Sequence, residues 1–347
     1  NDMPAVAMTD HGVMYGAIDF YKAANSGGIK PIIGCEMYVT SGSRFDRKSE
    51  GHKTQNYHLV LLAEDNIGYS NLVKLCSLAH LEGFYYKPRI DHELLSRHSK
   101  GLIGLSACLK GEVASALTEN DVRSAEKIAL EYAEILGKDN FFLEMQDHGL
   151  PAQKKIIPLI KDLSAKTGLP LVATNDVHYI SKDHAEAHEV LLCLQTQTVM
   201  SDPKRLKYQT QEFFMKTRAE MERVFSDFPE ALDITTEIAE RCNVELEFGK
   251  PHFPTYNAPN GMPQKDYLVS LGMDGIKKKY GITDPLHPKN DEEKNVVNRF
   301  KDELKVIENT GFINYFLVVW DFVKFAHESK IPVGPGRGSG GGSLMAY

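Results

Sequence analysis

The stretch "LPLVATNDVHYI", residues 169–180, runs from an apolar segment into a pair of side chains that can carry chemistry. Its first half is apolar and predicts a strand over 169–174. Asp176 and His178 follow two positions apart, so on an extended backbone their side chains point the same way. Open and barrel-type α/β folds place their chemistry at such strand ends. The pair is consistent with a metal site, an acid/base pair or a capped turn.

Other short apolar runs precede this stretch, and helical periodicity lies between several of them. The other predicted strands are 5–9, 31–39, 58–63, 102–107 and 140–145. The predicted helices are 16–24, 66–82, 122–136 and 152–167. This alternation predicts an α/β domain with a mostly parallel sheet, and six or seven such units favour a barrel over an open sheet. The polar segment 40–56 is predicted to be a long loop over the strand ends.

The alternation stops after about residue 200, where the pattern becomes helical. The predicted helices are 216–225, 229–242, 264–280, 291–311 and 316–329. A Pro/Asn/Gly-rich linker occupies 252–263. We therefore predict an α/β domain over 1–200, a connecting helical and linker segment over 201–262, and a second helical segment over 263–347. This last segment ends in a glycine-rich stretch, where we expect a further structural element to begin.

The composition of the 347 residues, 42% hydrophobic and 25% charged, is that of an ordinary soluble protein. No apolar run approaches the roughly 20 residues that span a bilayer, and no signal peptide opens the sequence. Five cysteines without CxxC spacing favour a reducing, cytoplasmic location. The net charge of −7 argues against a generally basic nucleic-acid coat, although local basic patches and divalent cations can reverse the local field. The sequence opens within an apolar strand and stops in a glycine-rich loop, so we expect a fragment of a longer protein.

Side chains of metal-binding type accompany most of the predicted strands. In chain order they are Asp10 and His11, Glu36, His58, Cys108, Glu144 with Asp147 and His148, and finally Asp176 with His178. If the strands are parallel neighbours, imidazole, carboxylate and thiol groups converge at one end of the sheet. Zn²⁺, Mn²⁺ and Fe²⁺ sites use this mixture of donors. Clusters of such ions cleave phosphate esters.

Each of these residues also has a purely structural interpretation. A single histidine at a strand end is more often hydrogen-bonded within the fold, and Cys108 alone is more often a small buried hydrophobe. Asp176 would serve equally well to cap a turn. Glu36 is harder to explain in this way, because an acid inside "IIGCEMYV" would be buried without a partner. Together the residues favour a metal site, and the structural interpretation is kept for Asp10, His148 and His184.

The motifs that carry these residues resemble the PHP (polymerase and histidinol phosphatase) domain family. They are, in order, "TDHG", "GIKPIIGCEMYV", "NYHLVLLA", "GLIGLSACLKGE", "FFLEMQDHGL" and "ATNDVHY". The form of the domain found at the N-terminus of bacterial DNA polymerase III alpha subunits is especially similar. Residues 82–91 ("EGFYYKPRID") and 311–339 also resemble that polymerase, so the resemblance covers essentially the whole chain. It implies a distorted (β/α)₇ barrel that holds up to three metal ions.

The resemblance also implies a set of ligands. The residues that match ligand positions of the family are His11, Glu36, His58, Cys108, Asp176 and His178. An H-x-H motif is expected upstream of Asn1, so this chain is expected to carry at most part of the site. Some family members have lost their ligands and are inert. All six positions keep ligating side chains here, so the resemblance implies a domain that can bind metal. The ions would be Zn²⁺, Mn²⁺ or Fe²⁺, and the implied activity is that of a phosphodiesterase of the 3′–5′ exonuclease type.

The segment "VGPGRGSGGGS", residues 333–343, has two interpretations. Composition alone favours a flexible linker, although glycine-dense loops before helices also let backbone N–H groups approach phosphate. The resemblance implies the start of a polymerase palm, where the incoming nucleotide's triphosphate would be bound by Arg337, Gly338, Ser339 and Ser343. Gly340 and Gly341 stand where the family usually has alanine, which should loosen the helix start by about 1 kcal/mol per residue.

At the level of the whole protein, the resemblance implies the N-terminal part of a replicative DNA-directed DNA polymerase, a nucleotidyltransferase. Its substrates would be DNA primer–template and dNTPs, and its cofactor for polymerisation would be Mg²⁺. Its partners would be a proofreading exonuclease subunit and a sliding clamp. The polymerase carboxylates are expected beyond Tyr347, so none is predicted in this chain. One alternative is a freestanding phosphoesterase of the histidinol-phosphatase type. Another is a domain that serves only as a scaffold for the proofreading subunit.

Overall fold

The computed structural model describes residues 3–47, 55–250, 252–334, 336 and 338–347. These residues form two compact units, Asn1–Leu246 (unit 1) and Glu247–Tyr347 (unit 2). The domain boundaries predicted near residues 200 and 262 stay predictions. Among the described residues, no helix combines the length and apolar character needed to cross a membrane.

Unit 1 contains a seven-stranded mixed sheet that curls into a half-barrel. Its strands are β1 (Ala5–Met8), β2 (Lys30–Thr40), β3 (Asn56–Ala63), β4 (Arg89–Ile90), β5 (Leu102–Leu105), β6 (Phe141–Met145) and β7 (Leu171–Ala173). The order is β1-β2-β3-β5-β6-β7, and the short β4 pairs with β2. The α/β prediction is confirmed, with a strand at each of the six predicted positions. Only the two-residue β4 was not predicted.

Most neighbouring strands are parallel, as predicted, but β3 runs antiparallel to both β2 and β5. The expectation that all the residue-bearing strands are parallel neighbours is therefore wrong for β3. A parallel neighbour requires a crossover, usually through a helix. The described residues between β2 and β3, 41–47 and 55, contain no helix, so the chain turns back on itself.

Helices surround the sheet. In unit 1 they are α1 (Ala17–Ser26), α2 (Asn66–Leu81), α3 (His92–Arg97), α4 (Glu112–Thr118), α5 (Val122–Leu136), α6 (Pro151–Thr167), α7 (Ala185–Thr196), α8 (Arg218–Val224) and α9 (Pro229–Arg241). Aspartates cap two of the long helices: the Asp65 carboxylate accepts from Gly68 N at 2.8 Å before α2, and Asp121 accepts from Ser124 N at 3.0 Å before α5. Such caps satisfy amide groups that the helix itself leaves unpaired.

The strands divide the core into two layers because successive side chains point to opposite faces. On β2, Ile33, Cys35 and Met37 belong to the main core between sheet and helices. Ile32 belongs to a second cluster on the other face, together with Val60, Leu62, Ile103, Leu105, Phe142 and Val172. This second cluster fills the concave inner face of the half-barrel. Ile238 of α9 also packs in it.

Unit 2 is helical, as predicted. Its helices are α10 (Gln264–Tyr280), α11 (Asp291–Asn309) and α12 (Ile313–Glu328), and Gly338–Gly342 forms a short 3₁₀ turn. Leu268, Ile307 and Leu317 form one small core, while Ile276, Ile282 and Phe300 form another.

Candidate metal centre

The inner face of the half-barrel changes from apolar to polar along its strands. Glu36 lies four residues after Ile32 on β2, and His58 lies two residues before Val60 on β3. Since alternate side chains of a strand share a face, Glu36 and His58 point to the same inner face as these two apolar residues. Both are buried, with 5% and 8% of their surface exposed. Because β3 is antiparallel, its first residues lie beside the last residues of β2, and His58 pairs with Tyr38. The reversed strand therefore brings His58 to the same end of the sheet as Glu36.

His11, Glu36 and His58 form the centre of the site. His11 Nδ1 lies 3.0 Å from Glu36 Oε1, and His58 Nδ1 contacts the same oxygen. One ligand atom from each of the three lies within 4.8 Å of the others. The backbone fixes this arrangement, since Gly12 N donates to Glu36 O at 2.8 Å and Glu36 N donates to Asp10 O at 3.0 Å. The segment after β1 is thereby held against β2.

The three other predicted ligands lie next to this centre. The Cys108 thiol is 3.7 Å from His58 Nδ1. The rings of His178 and His11 are 6.0 Å apart between centroids, and Asp176 Oδ1 is 3.8 Å from His178 Nδ1. Each of the six residues predicted from sequence thus lies within 6.0 Å of another member. Their convergence is a property of the structure, and their role as metal ligands stays a prediction.

The loop that follows β7 holds His178 in a defined orientation. Asp176 has a positive φ of 42°, and its carbonyl accepts a 2.7 Å hydrogen bond from His178 Nδ1. In the neutral imidazole this bond places the proton on Nδ1, so the lone pair of Nε2 faces away from it and can bind a ligand. Metal-binding histidines commonly use their second nitrogen in this way to fix tautomer and orientation.

The site is electrostatically coupled. Burial opposes ionisation of Glu36, but hydrogen bonds from His11 and His58 outweigh it and lower the pKa of Glu36 to about 2. The hydrogen bond to Glu36 raises the pKa of His11. Burial raises the pKa of Asp176, with the charge of His178 acting against it, and burial also raises the pKa of the Cys108 thiol.

The residues present fit a transition-metal centre. Imidazole nitrogens, carboxylate oxygens and a thiol are the donors that Zn²⁺, Mn²⁺ and Fe²⁺ share. Three of these groups already bring donor atoms within 4.8 Å of one another. Buried carboxylates at this depth cost free energy unless a positive charge neutralises them. The structure therefore supports a possible metal site without identifying the ion.

Two residues that sequence reasoning missed complete the wall of the site. The Tyr208 ring lies 5.0 Å from the His178 ring, and the His188 ring lies 5.7 Å from it, between centroids. Tyr208 comes from the irregular segment after α7, and His188 lies within α7. No motif or strand end marked either of them. The segment that carries Tyr208 folds back over the end of the sheet.

Two buried polar residues nearby serve the fold. His148 is 1% exposed: its Nε2 bonds to Asn175 O at 2.9 Å, Gln153 Nε2 bonds to its Nδ1 at 2.8 Å, and its ring stacks on Phe213. The structural interpretation of His148 is confirmed. Burial raises the pKa of Glu144 to about 7, although its carboxylate accepts a 3.0 Å bond from Gln146.

The predicted phosphate-binding residues lie in unit 2. Arg337 falls outside the described residues, and Gly338 and Ser339 lie in the exposed turn Gly338–Gly342. The Ser343 hydroxyl donates to the Glu303 carboxylate at 2.7 Å. The same carboxylate accepts from the two backbone amides that follow Ser343. An acidic side chain therefore occupies the hydroxyl of Ser343. The phosphate-binding role of all four predicted residues stays a prediction.

Comparison with known proteins agrees with this architecture. The model of the PHP domain family matches residues 1–148, and that of the bacterial DNA polymerase III alpha NTPase domain matches residues 266–347. Residues 1–148 are therefore similar to PHP domains, and residues 266–347 are similar to that polymerase domain. The resemblance noted in the sequence is thus confirmed.

Curated relatives are similar along the whole chain. Proteins named DNA polymerase III subunit alpha are 44% identical in Treponema pallidum, 42% in Borreliella burgdorferi and 41% in Thermus aquaticus, over 99%, 100% and 99% of this chain. The chain spans only 29%, 30% and 32% of the length of these relatives. What the complete relatives do is therefore carried over to this chain only as a proposal.

Proposed function

We propose that this chain is the N-terminal part of a replicative DNA-directed DNA polymerase that acts in the bacterial cytoplasm. Its support is the similarity to DNA polymerase III alpha subunits over 99% of the chain. The full-length protein would use DNA primer–template, dNTPs and Mg²⁺, with a proofreading exonuclease subunit and a sliding clamp as partners. Residues 1–347 would not polymerise DNA alone, because the acids that bind Mg²⁺ are expected further along the polypeptide.

Within this protein, the PHP domain would be a metal-dependent phosphodiesterase with 3′–5′ exonuclease activity. One observation carries this proposal: six candidate ligands, far apart in sequence, meet at one end of the half-barrel. His11, Glu36 and His58 form their centre, with donor atoms within 4.8 Å of one another. A scaffold domain has no need for buried carboxylates among imidazoles, because such groups cost stability when they do no chemistry.

The roles of the residues follow from their contacts. His11, Glu36 and His58 would hold one ion. Cys108 beside His58, and His178 beside His11 with Asp176 next to it, would be further ligands at the edge of this group. When bound, such ions supply hydroxide near neutral pH and stabilise a leaving oxygen. The chain itself orients the donors: Glu36 bridges two imidazoles, and the backbone carbonyl of Asp176 fixes His178. The Tyr208 ring limits access from one side.

Metal content and hydrolysis test this proposal together. The full-length protein, purified without chelator, should contain Zn, Mn or Fe by plasma mass spectrometry and should shorten a 5′-labelled single-stranded DNA from its 3′ end. His11→Ala and Glu36→Gln should lower both metal content and hydrolysis at least tenfold. His98→Ala, at the C-cap of α3 and outside the cluster, should leave both unchanged. Wild-type metal content in both site variants would refute the ligand assignment.

The two alternatives predict different results. If the domain is only a scaffold, His11→Ala and Asp176→Ala should change its stability and leave its metal content and its activity as they are in the wild type. A small-molecule phosphatase would hydrolyse histidinol phosphate and leave DNA intact. The match of residues 266–347 to the polymerase domain argues against that second alternative, because a phosphatase of this kind has no need for the helices of unit 2.

A further inference from the structure

A tight turn near the candidate metal centre displays an exposed aromatic ring. In this turn, residues 84–87, Tyr85 N donates to Lys87 O at 3.1 Å and the same two residues form a β-bridge. Tyr86 lies between them with a φ of 59° and is 81% exposed. A positive φ is strained for an aromatic residue, and such strain concentrates at functional sites. The Tyr86 ring meets the Tyr85 ring edge-on, with 4.7 Å between centroids, and most of its surface stays open to solvent.

The turn is anchored by a buried cation. Arg89 has none of its surface exposed. Its Nε donates to Gly83 O at 2.9 Å, and its Nη2 donates to Arg44 O at 3.0 Å and Asp46 O at 2.8 Å. Its guanidinium also lies 5.3 Å from the centroid of the Tyr85 ring. The base of the turn is therefore fixed, and the ring at its tip is presented in a preorganised position.

The turn adjoins the metal centre through one shared neighbour. Lys87 Nζ lies 5.3 Å from the centroid of the Tyr38 ring, and that ring meets the His58 ring edge-on at 5.2 Å. Pro88 packs so closely on Gly12, the residue after His11, that a Cβ there would lie 2.7 Å from its ring. One tyrosine ring thus separates the exposed Lys87 amine from the candidate ligands.

We propose that Tyr86 and Lys87 form a platform that guides single-stranded nucleic acid into the metal centre, with a base stacked on Tyr86 and an adjacent phosphate on Lys87. The platform rests on the proposed phosphodiesterase function. Aromatic rings next to cations are the common device for holding single strands, because every base offers a π-face and every nucleotide a phosphate. A paired base is already stacked within its duplex, so the ring selects unpaired ends.

A second lysine, Lys110, supports a nucleic-acid path from the platform to the metal centre. His58 N donates to the backbone carbonyl of Lys110 at 3.0 Å, so the exposed Lys110 directly adjoins the ligand cluster. The chain as a whole carries a net charge of −7. Exposed lysines next to the cluster therefore mark a local region that attracts phosphate on an otherwise acidic protein.

Binding can be measured separately from cleavage. The probe is a 5′-fluorescein-labelled, 12-nucleotide single-stranded DNA, titrated with the 347-residue chain in EDTA and followed by anisotropy. Tyr86→Ala should weaken binding about tenfold, and Tyr86→Phe should preserve it. Lys87→Gln should lower the slope of log K against log salt by about 0.7, the share of one phosphate on a single strand. Lys127→Gln, an exposed lysine on α5, is the matched control and should change neither quantity.

A glycine variant separates the ring from its backbone strain. Tyr86→Gly removes the stacking surface and relieves the positive φ, so it should raise the unfolding temperature while it weakens DNA binding. Loss of binding in this more stable variant would exclude misfolding as the cause. The inference is overturned if the wild-type chain does not bind the DNA, or if Tyr86→Ala and Lys87→Gln bind with wild-type affinity and salt slope.

The inference and the proposed function fail in different ways. If Tyr86→Ala weakens DNA binding but the full-length wild-type protein hydrolyses no DNA with Mn²⁺ or Zn²⁺, the nuclease proposal is wrong and the platform stands. If the wild-type chain hydrolyses DNA and Tyr86→Ala does so equally fast at limiting substrate, the platform is wrong and the nuclease proposal stands.

Discussion

One imidazole ties together three helices of unit 1 and should make its stability depend on pH. His92, at the start of α3, lies with Nδ1 2.6 Å from Glu131 Oε1 on α5 and Nε2 3.1 Å from Glu112 Oε2 on α4. The buried Tyr132 hydroxyl also donates to Glu112 at 2.8 Å. Burial opposes a charge on the imidazole, but the two carboxylates outweigh it and raise the pKa of His92 to about 9.

The direction of the pH effect follows from this raised pKa. The unfolded chain binds the proton with a pKa near 6.5, so the stabilisation is complete below about pH 6.5 and is lost as the pH rises towards 9. Each pKa unit corresponds to about 1.4 kcal/mol. Since 22% of the His92 side chain and 42% of the Glu131 side chain remain exposed, solvent screening reduces the total to roughly 1–3 kcal/mol.

Urea unfolding at pH 6 and pH 9.5 measures this contribution. The wild-type chain should lose about 1–3 kcal/mol more than His92→Gln between the two pH values. Far-UV circular dichroism follows the whole chain, whereas the fluorescence of the single tryptophan, Trp320 on α12, reports unit 2 and is an internal control. Equal losses in the wild type and the variant would refute the assignment of the pH dependence to His92.

Three further perturbations follow from other contacts, the first of them with Gly275→Ala as its control. Gly68→Ala should destabilise unit 1 by about 3 kcal/mol, because the new Cβ would lie 1.7 Å from Gly101 O; Gly275→Ala, with open space around it, should stabilise α10 by up to about 1 kcal/mol. Glu303→Gln should lower the hydrogen-exchange protection of the two amides after Ser343 by roughly 1 kcal/mol. Removal of metal by EDTA should lower the melting temperature of unit 1, since 100 Kd of free ion contributes about 2.7 kcal/mol.

Each of these predictions has a contrary result. Equal urea midpoints for wild type and Gly68→Ala would show that α2 can move away from Gly101. Unchanged exchange in Glu303→Gln would show that Arg299, which also contacts that carboxylate, holds the segment by itself. A melting curve that is insensitive to EDTA and to added Zn²⁺ or Mn²⁺ would mean that the cluster binds none of these ions.

The sequence predicted the strands well because apolar runs and turn residues report local structure directly. It could not give the direction of β3, since an apolar strand reads the same in a parallel and an antiparallel pair. The two-residue β4 is too short to leave a pattern, and its residue Arg89 is buried only because its guanidinium finds carbonyl partners from distant segments. Tertiary contacts of this kind have no local signature.

For the site, the sequence identified the residues with chemically distinctive side chains in specific motifs. Tyr208 and His188 were missed because an aromatic ring in an irregular segment and a histidine within a helix are common in any protein. Their position over His178 depends on how the chain after α7 folds back, which no periodicity encodes. Arg337 was predicted to bind phosphate and lies outside the described residues, so that prediction is untested.

The reversal of β3 explains why one residue near the start of a strand can join ligands near the ends of others. In a parallel β3, His58, the third residue of that strand, would lie nearer the start of β2 and away from Glu36, the seventh residue of β2. Because β3 is antiparallel, its first residues instead lie at the polar end of the inner face, next to the apolar layer that includes Val60. A mixed sheet is therefore a requirement of this site, because the apolar layer stabilises the half-barrel and the reversed strand completes the ring of donors.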